Sequence, residues 1–260
     1  MSVRPEILVL KHDSSQWAAE AAALVLDLRK QAVSEHGRFL VALSGGKTPE
    51  QLYRRLVSAP TGGMTGWNET HFFFSDERCV PPDDPESNFQ LADQTLFRPL
   101  NISESRIYRM QGEHPDPEAA AADYEKLLRG ATTAPTAWPE LDLVLLGVGN
   151  DGHTASLFPG TDALHENKRA VAVGHAPSNP RTRLTLTLGV INHATVVLFL
   201  ASGDNKAAIV QRILEPRHEA DRQLPAALVR PQRGRLIWLL DRAAAANLTG
   251  EYQEDRPRPA

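Results

Sequence analysis

A mostly parallel, Rossmann-like α/β sheet flanked by helices is the fold this sequence predicts, on two observations. Apolar runs of strand length alternate with segments whose apolar residues recur at helical spacing, the pattern of strands joined by crossover helices. Four of those runs, ending at Leu43, Phe74, Leu146 and Leu200, pass at once into Gly-rich or charged turns. Parallel strands share their direction, so the four turns fall along one edge of the sheet. The 260 residues, 42% hydrophobic, suffice for one large core, and we expect a single domain over residues 1–249.

Taken in order, Ile7–Leu10 reads as a first strand. Asp13–Ser15 then cap a helix to about Glu35, with Trp17, Ala21, Leu24, Val25 and Leu28 spaced for one buried face and Gly37 ending it. Phe39–Leu43 is the second strand. After it, Ser44-Gly45-Gly46-Lys47-Thr48-Pro49 opens a helix to about Val57, with Thr48 as the expected cap and Pro49 in the first turn. Thr61–Met64 reads as a flexible connection. His71–Phe74 is a third strand, ending in Ser75-Asp76-Glu77-Arg78. The prolines of Val80–Glu86 stop regular structure, and Ser87 caps a helix to about Phe97.

Arg106–Met110 reads as an edge strand, Pro117–Arg129 as an Ala-rich helix and Gly130–Pro139 as a linker. The run from Leu141 to Leu146 has the composition of a strand buried on both faces. Ala170–Val173 is a further strand, and Arg183–Leu188 alternates Leu and Thr at strand period. Thr195–Leu200 follows, its Ser202–Lys206 turn opening a helix to about Leu214. Arg235–Leu240 is the last strand, with a short Ala-rich helix behind it. The segment from Gly250 to Ala260 is charged and aperiodic, and we expect it to be a disordered tail.

A formal charge of −4 supplies no basic surplus for nucleic acid, and no aromatic-interleaved basic patch appears. No apolar run reaches the ~20 residues a bilayer needs, and the first residues lack a signal-peptide core, so we expect no membrane association. Cys79 stands alone, which excludes an internal disulfide and suits a reducing cytoplasm; it reads as a core residue. Neither C-x-x-C nor H-E-x-x-H spacing is present, so nothing in the spacing suggests zinc. Oligomeric state is left open.

Chemistry concentrates after Leu146, in Gly147-Val-Gly149-Asn150-Asp151-Gly152-His153. A buried strand there delivers a carboxylate and an imidazole to a glycine-lined turn, the place where open α/β sheets hold ligands. An imidazole changes protonation near neutral pH, so His153, beside an Asp at a strand end, is a candidate general base or metal ligand. Ser44–Thr48 would present backbone N–H groups to an anion at a helix start, with Arg183 and Lys206 as cations. Its sequence fits neither the P-loop frame nor the dinucleotide fingerprint, which favours a monophosphate over a nucleotide. His114, His175 and His218 lack ligand spacing and read as surface groups.

Three segments together, Ser44–Pro49, Ser75–Pro81 followed by Ser87-Asn88, and Gly147–Gly160, resemble the signatures of the 6-phosphogluconolactonase family. The resemblance extends to Arg183-Leu-Thr and Ser202-Gly-x-x-Lys206 and covers roughly residues 5 to 245. It implies the sugar-phosphate-binding fold shared with glucosamine-6-phosphate deaminases, and hydrolysis of 6-phosphoglucono-δ-lactone in the pentose phosphate pathway without metal or organic cofactor. It further implies His153 as the base, phosphate contacts from Ser44, Gly45, Gly46, Thr48, Arg183 and Lys206, and substrate-facing roles for Asp76, Arg78 and Asp151. Whether Asp151 or Asp76 orients His153 stays open at this point. The related deaminases carry a glutamate just before the proline of the histidine turn; here that place is Phe158, which cannot move a proton. A non-catalytic sugar-phosphate sensor is the remaining alternative, and retention of Asp151 and His153 weighs against it.

Overall fold

The computed structural model of the chain describes residues 6–9, 14–59, 67–132 and 138–252. In chain order they form β1 (Glu6–Val9), α1 (Ser14–His36), β2 (Phe39–Leu43), α2 (Lys47–Ser58), β3 (Thr70–Phe74), β4 (Asp76–Arg78), α3 (Asn88–Ala92) and α4 (Pro117–Ala131). There follow β5 (Leu143–Leu146), α5 (Asp162–His165), β6 (Val171–His175), β7 (Thr182–Leu186), α6 (Leu188–Ile191), β8 (Val196–Ala201), α7 (Ala207–Leu214), α8 (Glu219–Arg222) and β9 (Arg235–Leu240).

Six strands make one sheet in the order β1-β9-β8-β5-β2-β3, every neighbouring pair parallel. All residues of β2, β5 and β8 are buried, as strands covered by helices on both faces must be. The Trp17 indole anchors α1 to this sheet by donating to the Leu239 carbonyl at 3.2 Å. Gly37, at φ 79, ends α1 and donates to the Val33 carbonyl, as expected of a left-handed cap. From β2 the chain steps outward to β3, whereas from β5 it steps the other way to β8. The strand order therefore reverses between β2 and β5, and a crevice opens beyond their carboxyl ends.

A second, antiparallel sheet in the order β4-β7-β6 is built onto that edge. Ser75 joins the two: its N–H donates to the Leu43 carbonyl at the end of β2, and its carbonyl accepts from Leu186 in β7. The Arg183–Leu188 and Ala170–Val173 strands thus lie outside the main sheet, in the small one that carries Asp76 and Arg78.

Several expectations need correction. Gly46, not Thr48, is the N-cap of α2; its φ of 102 lies in the left-handed region, and no side chain caps that end. Arg106–Met110 forms no strand. Glu104–Arg106 is a single 3-10 turn, and Ile107 makes one bridge to Phe72. The apolar residues of that run serve packing instead: Tyr108 stacks on Phe73 with ring centroids 4.5 Å apart, and Met110 is buried. Beyond β9 the Ala-rich stretch is a series of turns: Asp241 accepts the Ala244 N–H as an N-cap would, but after the single Ala245 N–H to Asp241 carbonyl bond the chain continues through three-residue turns, Ala246 to Ala243 and Leu248 to Ala245. Ser87 caps α3 as expected, accepting from the Gln90 N–H, but the helix widens into a π turn at Asp93–Phe97. His175 and His218 are exposed, whereas His114 is half-buried and accepts the Asp116 N–H. Asp13, Thr61–Met64 and 133–137 of the expected linker lie outside the described residues. Of the expected tail, Gly250 donates its N–H and Tyr252 its hydroxyl to Glu215, both at 2.7 Å; 253–260 are not described.

Candidate active site

The turn after β5 holds its imidazole on three sides. The Gly149 N–H donates to the His153 carbonyl at 2.9 Å and the Gly152 N–H to the Gly149 carbonyl at 3.0 Å, closing a tight loop. Asp151 Oδ1 lies 2.6 Å from His153 Nδ1 and also accepts the His153 backbone N–H at 3.1 Å. A carboxylate only accepts, so the ring proton sits on Nδ1 and Nε2 is the basic nitrogen. Burial pushes the Asp151 carboxyl up, but the His153 N–H, charge and ring outweigh it and hold the group below the usual carboxylate range. Beneath the ring, a Cβ on Gly149 would stand 2.1 Å from Nδ1 and Cε1, so only glycine fits. Phe158 covers the ring with centroids 4.4 Å apart. The imidazole is 33% exposed, enough for a substrate to reach it.

Lys206 reaches the same turn. Its Nζ donates to Asn150 Oδ1 at 2.9 Å, one residue from Asp151. Burial lowers its pKa, and the Asp151 charge opposes that shift. The loop leading to Lys206 is fastened by Asp241, whose carboxylate accepts from the Ser202 hydroxyl at 2.6 Å and the Gly203 N–H at 3.1 Å.

The glycine loop after β2 stands across the crevice. Tyr53 clamps its start, donating to the Ser44 carbonyl at 2.6 Å while accepting the Ser44 N–H. Gly45 lies flat on Asn88, since a Cβ there would sit 1.8 Å from the amide oxygen. That amide in turn donates to Asp76 at 2.9 Å (backbone carbonyl) and 3.1 Å (Oδ1). Asp76 Oδ2 accepts the Ser156 hydroxyl at 2.6 Å. Ser156 follows His153 by three residues, so a continuous line of contacts joins the loops after β2, β3 and β5. The buried Glu77 carboxylate supports it from behind by accepting N–H groups of Arg78, Asn88 and Phe89 and the Ser87 hydroxyl. Burial raises the Glu77 pKa against those donors.

Arg78 and Arg183 face one another in register between β4 and β7. Burial lowers the Arg183 pKa and repulsion from Arg78 lowers it further, against the pull of Asp76. Arg183 Nε donates to the Pro180 carbonyl at 2.7 Å, while Arg78 is bonded to the Glu86 carbonyl and its buried Nε has no partner. Arg78 also pairs with the Glu86 carboxylate at 3.7 Å, and the two adjacent cations suit a further anion. Gly174, opposite Arg183 in β6, packs on the histidine turn, since a Cβ there would stand 2.6 Å from the Ser156 carbonyl.

Asp151, not Asp76, is therefore the carboxylate on His153. Lys206 sits by Asn150, and Arg183 by Arg78. Thr48 lies in the first turn of α2, whose uncapped N–H groups face no side-chain acceptor. Cys79 is packed against the core, and burial, followed by the Glu77 charge, pushes its thiol up to about 11, which makes it a poor nucleophile. Among the described residues, no group of three His, Cys, Asp or Glu side chains could hold a metal ion. Sequence reasoning passed over Ser156, Glu77 and Asp241. Ser156 stands within the Gly147–Gly160 signature and Glu77 beside Asp76, so both had a local signal; Asp241, 35 residues past Lys206, had none.

Comparison with known proteins places the chain in a family. A curated 6-phosphogluconolactonase of Nostoc sp. is 38% identical over 238 residues, covering 91% of this chain and 96% of that one. The solved structure of a 6-phosphogluconolactonase from Trypanosoma brucei superposes with a TM-score of 0.85 at 29% identity, covering 95% of this chain and 100% of that one. A monomeric glucosamine-6-phosphate deaminase shares the fold, at a TM-score of 0.76 and 24% identity over 94% of this chain and 100% of that one. The family described as glucosamine-6-phosphate isomerases/6-phosphogluconolactonase matches residues 12–238. With that span and these relatives, the chain belongs to the glucosamine-6-phosphate isomerase/6-phosphogluconolactonase family.

Proposed function

We propose that the protein hydrolyses 6-phospho-D-glucono-1,5-lactone to 6-phospho-D-gluconate, the lactone step of the oxidative pentose phosphate pathway, with His153 as general base. The observation that carries this reading is the 2.6 Å bond between Asp151 and His153 Nδ1 at the carboxyl end of β5, which leaves Nε2 basic beside the switch-point crevice. His153 takes a proton from water, and the hydroxide adds to C1 of the lactone. The carbonyl oxygen becomes an oxyanion, for which Arg78 is the donor we assign. The intermediate then collapses, the C1–ring oxygen bond breaks, and His153 returns its proton to the leaving oxygen. The carboxylic acid so formed loses one proton at neutral pH.

The phosphate is held by the N–H groups of Gly45, Gly46 and Thr48 together with Arg183 and Lys206, with Ser44 shaping the loop. Asp76, bonded to Asn88 and Ser156, orients the sugar through a hydroxyl. The deaminase reading lacks an acid: Phe158 fills that place and lies against His153, the rings tilted by 35°. No helix among the described residues is long and apolar enough to cross a membrane. We assign the activity to the cytoplasm, where the single Cys79 is compatible with reducing conditions.

Proton release from freshly prepared lactone, followed in a pH-stat against the spontaneous rate, tests the function. Acceleration at stoichiometric enzyme or below is expected. A rate equal to the spontaneous one would leave a sugar-phosphate sensor as the better reading.

A further inference from the structure

We infer that Asp241, at the carboxyl end of β9, is a positioning residue for Lys206 and, through it, for the phosphate end of the substrate; this rests on the reading of Lys206 as a phosphate contact. Asp241 is 6% exposed. Its carboxylate collects three neutral donors: the Ser202 hydroxyl at 2.6 Å, the Gly203 N–H at 3.1 Å to both oxygens, and the Ala244 N–H at 2.8 Å. Two of the three belong to the loop between β8 and α7. Gly203 holds a φ of 97, outside the range of other residues, and its carbonyl accepts the Lys206 N–H at 3.1 Å. The orientation of the Gly203 peptide thus sets the 3-10 turn Asp204–Lys206, and with it the direction in which the lysine leaves the backbone.

Electrostatics alone would not put a carboxylate here. A buried anion without a counter-charge is costly, and one behind an anion-binding loop weakens the field the substrate's phosphate feels. Its geometric role accounts for it: one side chain ties the first residues after β8 to the end of β9, so the two strands deliver Lys206 to Asn150 in a fixed pose. Asp241 directly follows β9 and its apolar run Leu236–Leu240, and its side chain is bonded to the Ser202-Gly203 loop.

The test compares Asp241→Asn, Ser202→Ala, Lys206→Ala and the Asp241→Asn/Lys206→Ala double variant on 6-phosphogluconolactone and on unphosphorylated glucono-δ-lactone. Asp241→Asn should cut kcat/KM on the phosphorylated substrate about tenfold, mostly through KM, and the loss should exceed that on gluconolactone at least fivefold. Ser202→Ala should follow in the same direction with a smaller loss. In the Lys206→Ala background, Asp241→Asn should cost less than about threefold, because both act on one contact. Equal losses on the two lactones, or fully multiplicative losses in the double variant, would overturn the inference while leaving the assignment of Lys206 intact. If Asp241→Asn fails to fold, Ser202→Ala decides by the same substrate comparison. Lys206→Ala losing equally on both lactones would overturn the phosphate reading itself, and the inference with it.

Discussion

His153 is the residue on which the chemistry turns, and its surroundings make separate demands. Asp151 fixes the tautomer and Gly149 gives the ring room. His153→Ala should therefore lower kcat by roughly 10²- to 10⁴-fold, the range of a lost general base, with little change in melting temperature. A kcat within a few-fold of the parent would remove His153 from the mechanism. Gly149→Ala tests the geometry rather than the group. Its Cβ would stand 2.1 Å from the ring and 2.7 Å from Asp151 Oδ1, so the imidazole must shift. The expected kcat loss is at least tenfold, since misplacement of about 1 Å is enough to cost that much; unchanged steady-state kinetics would contradict a tightly fitted ring. The pairing with Asp151 could not be chosen from sequence, because both Asp76 and Asp151 end strands at the same edge. Only the fold shows Asp76 bonded to Asn88 and Ser156 rather than to His153.

Elements are placed by fastenings at both ends, and α7 shows it. Its amino end carries the Lys206 turn, while its carboxyl end is followed by Glu215, which accepts from Thr249, Gly250 and Tyr252. Burial would raise the Glu215 carboxyl, but those donors, the Tyr252 hydroxyl first, hold it at about 2. A carboxyl lowered in the folded state contributes stability that is complete above the unfolded value of roughly 4.3 and fades as pH falls through the folded one. Amide protection of Thr249 and Gly250 should accordingly hold at pH 5 and be lost between about pH 4 and pH 2, as hydrogen exchange would show. Persistence of protection at pH 2, or its absence at pH 5, would contradict the Glu215 fastening. The strands β2, β5 and β8 of the main sheet were legible in sequence because burial on both faces leaves unbroken apolar runs. Arg106–Met110 misled for the converse reason: its apolar side chains pack beneath Phe73 rather than pair along a strand.

For the whole molecule, the reversal of strand order between β2 and β5 explains why signatures far apart in the chain meet in one crevice. The turns and their common edge could be read from residue types; the second sheet could not. Its strands are short, and Arg183 reaches the site only by pairing antiparallel with the segment that runs on from β3. Removing Arg183 should therefore raise KM for the phosphorylated lactone, and Arg183→Ala losing no more on it than on gluconolactone would remove that residue from the phosphate grip. The most direct measurement is a crystal structure with 6-phosphogluconate bound. The account predicts the phosphate on the Gly45-Gly46 loop with Arg183 and Lys206, and the C1 carboxylate about 3 Å from His153 Nε2. A phosphate bound elsewhere, or C1 turned away from the imidazole, would contradict it.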